Sequence, residues 1–276
     1  MSLAKIVGWW TAKRILLVCT LLVLIPTYFP LGLPLEISFT TKDFMNALDA
    51  LKPGDKVVFG IGAWDYVTEP DFSSAMIKAI CDRQLKFVVV SWYPVAPIGF
   101  DINAHEQVRI EETYGYVYGT DYVIFPFTAG DEAAMAAIAA DFWGTFSTDY
   151  YGNPIEELPL MEDIRTLDDF DLAIIEAGQA SDYYLMIVRQ WPAKYEIPTL
   201  QLTHLPITSA YYGTYITGGL DGLRGRVEFE IEAGHPGEEV AKVEARNIGQ
   251  TLIIIACFMG IAANYMARTK KESVKA

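Results

Sequence analysis

The stretch Leu85-Lys-Phe-Val-Val-Val-Ser-Trp92 decides the fold of this chain. It is almost continuously apolar and rich in valine, a composition typical of a strand that is buried on both faces of a parallel sheet. A similar run, Lys56–Ile61, precedes it, and Glu69–Arg83 between the two runs has a helical pattern that opens with Pro70. The order strand, helix, strand predicts two parallel strands joined by a crossover helix.

The same alternation of strands and helices continues toward the carboxyl terminus. Three further strands are predicted at Asp121–Phe127, Leu172–Glu176 and Thr199–Leu202. Four further helices are predicted at Ile102–Tyr114, Asp131–Phe142, Ser181–Gln190 and around Ile207–Tyr215. Trp143–Asp171 is rich in turn residues and is predicted to be a long irregular insertion. The predicted fold class is therefore α/β, a Rossmann-like domain of three layers with a mostly parallel sheet.

Two segments near the end of this domain have less decisive patterns. The run Gly218–Glu230 contains four glycines, which permit a sharp turn or a close approach of two backbones. Within it, the residues from Arg226 onward alternate like an edge strand but fit a helix equally well. The sequence therefore leaves the secondary structure of this part open.

Two apolar segments bracket the predicted domain. Ile248–Met266 carries no charged side chain and matches the roughly 20 residues that cross the hydrocarbon core of a bilayer. Ile15–Leu35 begins as a regular apolar helix, but Pro26 and the prolines after it predict a kinked exit. The first segment is predicted to be a retained anchor, and a cleaved signal peptide is the alternative interpretation.

Basic residues decide the predicted orientation of these two segments. They lie on the side of each segment that faces away from the domain, at Lys5, Lys13, Arg14, Arg268, Lys270, Lys271 and Lys275. Because positively charged flanks stay in the cytoplasm, both termini are predicted to be cytoplasmic and the central domain extracytoplasmic. The predicted divisions are residues 1–37 as a membrane anchor, residues 38–245 as the α/β domain, and residues 246–276 as a transmembrane helix with a short basic tail.

Charge and cysteine usage narrow the range of functions. The chain has 276 residues and a net charge of −14, and most of its acidic residues lie in the central domain. No nucleic acid is predicted as a partner, because phosphate binding needs clustered lysine and arginine. Of the three cysteines, Cys19 and Cys257 lie in the apolar segments and Cys81 in a predicted helix, so no disulfide framework is predicted.

Ligands of doubly wound sheets bind outside the carboxyl ends of the strands, so the candidate site residues are those that follow a strand. Asp65, Glu176 and His204 follow the first, fourth and fifth predicted strands and are the candidate catalytic residues. Together with Asp131, the two carboxylates have the chemistry of general acids and bases or of ligands to a divalent cation. The alternative interpretation is that each carboxylate caps a neighbouring helix.

Motifs of the common cofactor and hydrolase sites are missing from the sequence. Gly60 and Gly62 are similar to the start of a dinucleotide fingerprint, but the third glycine is absent, and Asp65 and Glu69 would repel a pyrophosphate. No nucleophile elbow, His-Glu-x-x-His motif or Cys-x-x-Cys motif occurs. The sequence therefore predicts no cofactor and no metal, and it favours a non-enzymatic role over an enzyme.

Aromatic residues are frequent in the predicted loops and helix ends. The pairs Tyr150-Tyr151, Tyr183-Tyr184 and Tyr211-Tyr212 combine apolar area with a polar tip, which suits protein interfaces. Core filling or contact with lipid headgroups is the alternative for each tyrosine. In the second apolar segment, Gly249 and Gly260 allow close contact between helices.

Several short motifs of the chain form a recognisable set. They are Thr148-Asp-Tyr-Tyr-Gly152, Glu157-Leu-Pro159, Arg189-Gln-Trp191, the Gly-Gly-Leu-x-Gly-Leu-Arg-Gly run at 218–225, and the glutamate-rich entry into the last apolar segment. This set resembles an uncharacterised family of prokaryotic membrane-anchored proteins, and it covers most of the central domain. The resemblance implies a prokaryotic source and the two-anchor arrangement. It implies no activity, no cofactor and no site residue.

Three functions fit these observations. The favoured one is a membrane-anchored structural or assembly subunit, because anchors at both ends hold the domain near the bilayer and raise its effective concentration for lateral partners. Its predicted partners are the lipid bilayer and copies of itself or other membrane proteins. The alternatives are a domain that binds and senses a small solute at the strand ends, and a carboxylate-dependent enzyme at the same edge.

Overall fold

The computed structural model describes residues 12–28, 35–62, 70–176, 181–203 and 212–273. Contacts divide the chain into two compact units. Met1–Pro34 and Val240–Ala276 form one, called here the helical unit, and Leu35–Glu239 forms the other, called the α/β unit. Every strand found among the described residues belongs to the α/β unit.

A six-stranded, fully parallel sheet forms the centre of the α/β unit. The strands are β1 (Lys56–Ile61), β2 (Lys86–Ser91), β3 (Tyr122–Phe127), β4 (Leu172–Glu176), β5 (Thr199–Thr203) and β6 (Gly218–Asp221). Their order across the sheet is β3-β2-β1-β4-β5-β6. This is the order of a doubly wound Rossmann sheet, with its switch point between β1 and β4. The predicted α/β, Rossmann-like fold is confirmed.

Helices cover both faces of the sheet and form the helical unit. They are α1 (Ala12–Tyr28), α2 (Phe39–Asp49), α3 (Pro70–Asp82), α4 (Ala96–Ile102), α5 (Ile110–Tyr114), α6 (Asp131–Ala140), α7 (Phe142–Thr145), α8 (Ser181–Gln190), α9 (Pro192–Tyr195), α10 (Gly222–Glu232) and α11 (Glu238–Ser273). A π-helical segment, Asn103–Val108, lies between α4 and α5. Short 3₁₀ helices follow α7 at Ile155–Glu157, Pro159–Asp163 and Leu167–Asp169.

Two clusters of buried apolar side chains attach the helices to the sheet, one on each face. Alternate residues of a strand point to opposite faces. Val57 and Phe59 therefore belong to the cluster that contains side chains of α2, α3, α4 and α10, whereas Val58 belongs to the cluster of α6, α8 and the insertion. Because both faces are covered, β1 to β4 are largely apolar, and their nearly continuous apolar runs were enough to predict them.

The structure differs from the single helix predicted at Ile102–Tyr114. α4 begins at Ala96, with Pro97 in its first turn, a position where proline is favoured. The π-helical segment follows, and Arg109, in the left-handed conformation at φ 54°, separates it from α5. Apolar periodicity predicted that this region is helical, but it could not locate the change in helix type.

The last part of the sheet is also absent from the sequence predictions. Residues 218–221 form β6, and of the two alternatives for the glycines, the close approach of two backbones is correct: a Cβ on Gly218 would lie 2.5 Å from Phe44 Cα in α2. The segment from Arg226 onward is part of α10, so the helical alternative is correct. For the helix predicted around Ile207–Tyr215, residues 204–211 lie outside the described part, and Tyr212–Tyr215 form a turn instead.

The predicted insertion, Trp143–Asp171, is mostly irregular and covers the outer edge of β3. Tyr150 N–H donates a hydrogen bond to Ile124 O at 2.8 Å. The ring of Phe146 stacks on Phe125 with a centroid distance of 4.2 Å. An exposed edge strand is a site for unwanted pairing with other chains, and the insertion protects β3 from it.

The helical unit consists of α1 and most of α11. α1 continues through Pro26 as far as Tyr28. α11 has 36 residues, and at Gly249 it passes so near α1 that a Cβ would lie 3.6 Å from Val23 Cγ2. Within the residues that the structure describes, no helix is both long enough and apolar enough to cross a membrane.

Candidate functional site at the carboxyl edge of the sheet

Of the three candidate catalytic residues, Glu176 is described by the structure, whereas Asp65 and His204 lie outside the described residues. Glu176 is the last residue of β4, and its side chain is buried. Its backbone oxygen accepts a hydrogen bond from Gly62 N–H at 2.8 Å, so it lies at the switch point between β1 and β4. The catalytic role of these three residues stays a prediction.

Asp131 was the remaining carboxylate that the sequence placed at this edge. It is the first residue of α6 and follows Gly130. Among the described residues, no group of three histidine, cysteine, aspartate or glutamate side chains is placed to hold a metal ion. The structure therefore offers no set of ligands, within its described part, to which Asp131 or Glu176 would contribute.

The two glycines of the dinucleotide-like pattern, Gly60 and Gly62, make room for two tryptophans. A Cβ on Gly60 would lie 2.6 Å from Trp92 Cη2 and 2.8 Å from Trp191 Cη2, and one on Gly62 would overlap the Trp92 indole nitrogen. The two indoles pack edge to face at 5.7 Å, and both are buried. In a dinucleotide site, glycines at this position let the pyrophosphate approach the backbone. Here the packing of the indoles accounts for Gly60 and Gly62.

A cavity of about 460 Å³ opens at the other end of the same edge, beyond β6. Its walls are the first turns of α2 and α10 and the residues that precede them, namely Ser38, Phe39, Thr40, Tyr212, Asp221, Arg224, Gly225 and Glu228. Gly225 allows this arrangement, because a Cβ there would lie 2.8 Å from the backbone of Leu220. The volume lies within the range of small-ligand sites.

A fully buried carboxylate, Glu228, forms the floor of this cavity. Its Oε2 accepts hydrogen bonds from Ser38 N–H at 2.9 Å, from the Ser38 hydroxyl at 2.6 Å and from the Thr41 hydroxyl at 2.8 Å. Its Oε1 accepts one from Arg224 Nε at 2.7 Å. Burial raises the pKa of the Glu228 carboxyl, but these hydrogen bonds outweigh burial and hold the pKa below its ordinary value. Glu228 is therefore ionised at neutral pH.

The rim of the cavity combines charge with aromatic surface. Arg224 also donates from Nη2 to Glu36 O at 2.8 Å. Phe39 and Tyr212 meet edge to face at 5.5 Å, and Thr203 donates its hydroxyl hydrogen to Asp221 Oδ1 at 3.3 Å. With two carboxylates and one guanidinium, the lining has a net negative charge, so it suits a small cationic or zwitterionic solute better than an anion.

Sequence reasoning missed this cavity because it left the secondary structure of the run Gly218–Glu230 open and predicted no strand there. The available signal was Asp221, a carboxylate directly before the residues that fit a helix. His105 lies within the helix predicted at Ile102–Tyr114 and was not a candidate site residue. In the structure it lies in the π-helical segment and contacts Asp101 and Tyr122.

No protein-family model matches this chain, and no curated protein matches it significantly. The resemblance to a family of membrane-anchored proteins therefore stays a prediction. The class of protein is defined by the fold alone: a doubly wound, Rossmann-like α/β unit joined to a helical unit.

Proposed function

We propose that this protein is a membrane-anchored, non-enzymatic assembly subunit whose α/β unit contacts copies of itself or other membrane proteins. In this proposal both termini are cytoplasmic and the α/β unit is extracytoplasmic, as the basic flanks of the two apolar segments indicate. The observation that carries the proposal is exposed apolar surface, which is present in both units.

In the helical unit, α11 carries exposed apolar side chains of its own. Ile253, Ile254 and Ile255 have 65 %, 56 % and 49 % of their surface exposed. Successive residues of an α-helix point about 100° apart, so three consecutive exposed isoleucines spread apolar surface over about 200° of the circumference, which is wider than one stripe. Phe258 and Ile261 continue this surface. Each such side chain gains about 1.5–3 kcal/mol when it leaves water, which favours burial in lipid or against another protein.

The connections of the α/β unit also support two anchors in one bilayer. Ser38, which follows the first apolar segment, donates two hydrogen bonds to Glu228 in α10, 190 residues later. α10 is the last helix before α11. The chain therefore enters the α/β unit beside the helix from which it leaves. Such a domain can be held at both ends without strain.

In the α/β unit, α4 carries an exposed apolar stripe. Val95, Ile98 and Ile102, called here the α4 stripe, have 42 %, 48 % and 42 % of their surface exposed. Their spacing of three and four residues places them on one face of the helix. A contiguous apolar surface that a domain leaves uncovered is typical of a protein contact site. We assign the α4 stripe to the assembly contact.

The orientation is tested with cysteines introduced one at a time into the full chain. A membrane-impermeant thiol reagent added to intact cells is expected to label a cysteine at Asn153 and not one at Ser273, because the basic flanks keep the termini inside. Labelling at Ser273 alone would place the α/β unit in the cytoplasm and overturn the proposed topology.

The assembly contact is tested with Ile98→Glu, and Ile231→Glu is the matched control. Ile231 is 40 % exposed but lies on α10. In mild detergent with added lipid, the wild-type chain is expected to migrate as an oligomer or with partner chains. Ile98→Glu is expected to release monomer, because it buries an unpaired charge in the contact, whereas Ile231→Glu leaves the assembly intact. A monodisperse wild-type monomer, or equal behaviour of both variants, contradicts the proposal.

The cavity beyond β6 favours a second candidate function, the binding of a small solute. Its net negative lining points to a solute that carries an ammonium group. Free amino acids are suitable probes, and Asp221→Asn is expected to weaken any stabilisation that they give in thermal unfolding. If no amino acid raises the melting temperature of the wild-type chain, the assembly role stands without this addition.

A further inference from the structure

His105 lies at the centre of a hydrogen-bonded cluster beside the amino-terminal end of β3. Its Nδ1 is 2.9 Å from Asp101 Oδ1, in α4. Its Nε2 is 2.8 Å from the hydroxyl of Tyr122, the first residue of β3. Tyr122 donates that hydroxyl hydrogen to Glu111 Oε1, in α5, at 3.2 Å. Tyr151 of the insertion donates its own hydroxyl hydrogen to Asp101 Oδ1.

The number of protons in this cluster decides how many of its contacts are hydrogen bonds. The line runs from Asp101 through His105 and Tyr122 to Glu111, and ionised carboxylates can only accept. Tyr122 has one hydrogen, and if Glu111 receives it, the phenol oxygen must accept from His105. Both ring nitrogens of His105 then carry hydrogen, one toward Asp101 and one toward Tyr122. All three contacts are satisfied together only when the ring is doubly protonated.

Loss of one proton from His105 removes one of these hydrogen bonds. The remaining ring hydrogen stays on Nδ1, where the carboxylate and the backbone oxygen of Asp101 accept it, so Nε2 becomes an acceptor. Tyr122 then donates its single hydrogen either to His105 or to Glu111. The contact left without a hydrogen brings two acceptors together, which is repulsive. The released proton passes to solvent, to which His105 is partly exposed.

We propose that this cluster is a pH-dependent latch, in which protonated His105 holds α4 and α5 against β3 and the loss of its proton frees Glu111 and α5. The proposal does not depend on the membrane topology or on the assembly contact. It assigns a regulatory role to a histidine that lies away from the carboxyl edge of the sheet.

Four groups face His105 from the elements that pack against it. They are Asp101 from α4, Glu111 from α5, Tyr122 from β3 and the ring of Tyr151 from the insertion. Burial and the nearby Glu111 raise the pKa of Tyr122, and burial and Asp101 raise that of Tyr151, so both phenols keep their hydrogens. Histidine ordinarily changes charge between about pH 5 and 8.

The backbone around the latch has conformations that depend on their surroundings. His105 is part of the π-helical segment, and such segments are rare and occur often at functional positions. Arg109, which pairs with Glu112, follows in the left-handed conformation. A non-glycine residue adopts this conformation at a cost and keeps it only where neighbouring contacts impose it. Loosening of the cluster is therefore expected to lower the amide protection of residues 103–114.

Hydrogen exchange of the full chain in mild detergent, corrected for the intrinsic effect of pH, tests the latch. Between about pH 8 and about pH 5, protection of the amides of residues 103–114 is expected to rise about five-fold, the effect of one hydrogen bond. His105→Gln and Tyr122→Phe are expected to abolish this rise. His235→Gln is the control: it removes a histidine that is bonded to Asp82 at 2.6 Å and shares a cavity with Gln107. Because His235 lies outside the line from Asp101 to Glu111, this variant is expected to retain the rise.

Hydrogen-exchange protection of the β1 amides shows whether each variant is folded. If His105→Gln or Tyr122→Phe loses that protection, Glu111→Gln serves instead. Glu111 is half exposed, and a glutamine amide can donate to Tyr122 as well as accept from it, so every contact is satisfied whether or not His105 is protonated. The latch is wrong if protection of residues 103–114 in the wild-type chain does not change with pH. It is equally wrong if the change persists in a folded His105→Gln or Glu111→Gln variant.

Discussion

The α/β unit and the helical unit contain similar apolar residues but place them in opposite environments. Ile174 of β4 has 1 % of its surface exposed, whereas Ile254 of α11 has 56 % exposed. In the α/β unit, two helical layers remove the strands from water, so the hydrophobic effect is satisfied within the unit. Among the described residues of the helical unit, side chains such as Ile254 stay exposed. This exposed surface is the reason for which we propose an anchor there.

The largest effect that distinguishes the two units is expected from removal of a large side chain. Trp191→Ala should lower the free energy of unfolding of the α/β unit by about 3–5 kcal/mol, because Trp191 is fully buried and fills the space above Gly60. Phe258→Ala in α11, where the ring is 68 % exposed, should leave that free energy unchanged. Urea unfolding followed by circular dichroism measures both. Equal losses in the two variants would show that the units do not differ in this way.

A methyl group added to a glycine gives the next effect. Gly218→Ala should destabilise the α/β unit by about 2–3 kcal/mol, because the new Cβ would meet the backbone of Phe44, which cannot move without shifting α2. Gly260→Ala in α11 meets nothing within 4 Å, and alanine is the better helix former by about 1 kcal/mol. The same urea experiment is expected to show a loss for the first variant only. A neutral Gly218→Ala would mean that β6 and α2 are less closely packed.

The smallest effect is expected from the charge of two carboxylates, Glu228, which is buried, and Glu132, which is not. Glu228→Gln should cost about 1–2 kcal/mol at neutral pH, because it replaces charge-assisted hydrogen bonds in a buried position. Since the folded-state pKa of Glu228 is lowered, its contribution is present above the ordinary glutamate pKa of about 4.3 and is lost as the pH falls through the lowered value. The difference between wild type and variant should therefore disappear in acid.

Glu132→Gln is the control for that prediction. Hydrogen bonds from Arg189 and Gln190 lower the pKa of Glu132 to about 2, but the pair is open to solvent. Its effect on stability should be smaller than that of Glu228→Gln and should fade when salt is added, because exposed ion pairs are screened. If instead added salt reduces the loss of stability that Glu228→Gln causes, the Glu228 carboxylate of the wild-type chain is not shielded from water.

Much of the fold could be predicted because its signals are local. Each of the five predicted strands is a short apolar run, and each lies where the structure has a strand. β6 escaped prediction because Gly218 and Gly219 carry no side chain that could show a pattern. Their place in the sheet depends on α2 and β5, which are distant in sequence.

The candidate sites were less accessible to sequence reasoning. Strand ends drew attention to Glu176, which does lie at the switch point. The cavity beyond β6 joins Ser38 to Glu228, and the proposed latch joins Asp101 to Tyr151. Neither pair has a spacing that a motif could reveal, because both are formed by elements that meet only after the sheet has assembled.

The sequence by itself determined that the strands are parallel and buried, since only a doubly covered sheet uses apolar side chains at every position of a strand. Tertiary structure alone decided the strand order, the use of Gly60 and Gly62 as space for two indoles, and the hydrogen-bond partners of Glu228 and His105. The physical reason is the separation in sequence of the residues that determine each feature. Burial preference is a property of each residue and its near neighbours, whereas a hydrogen bond or a close approach between distant segments depends on the coordinates of both.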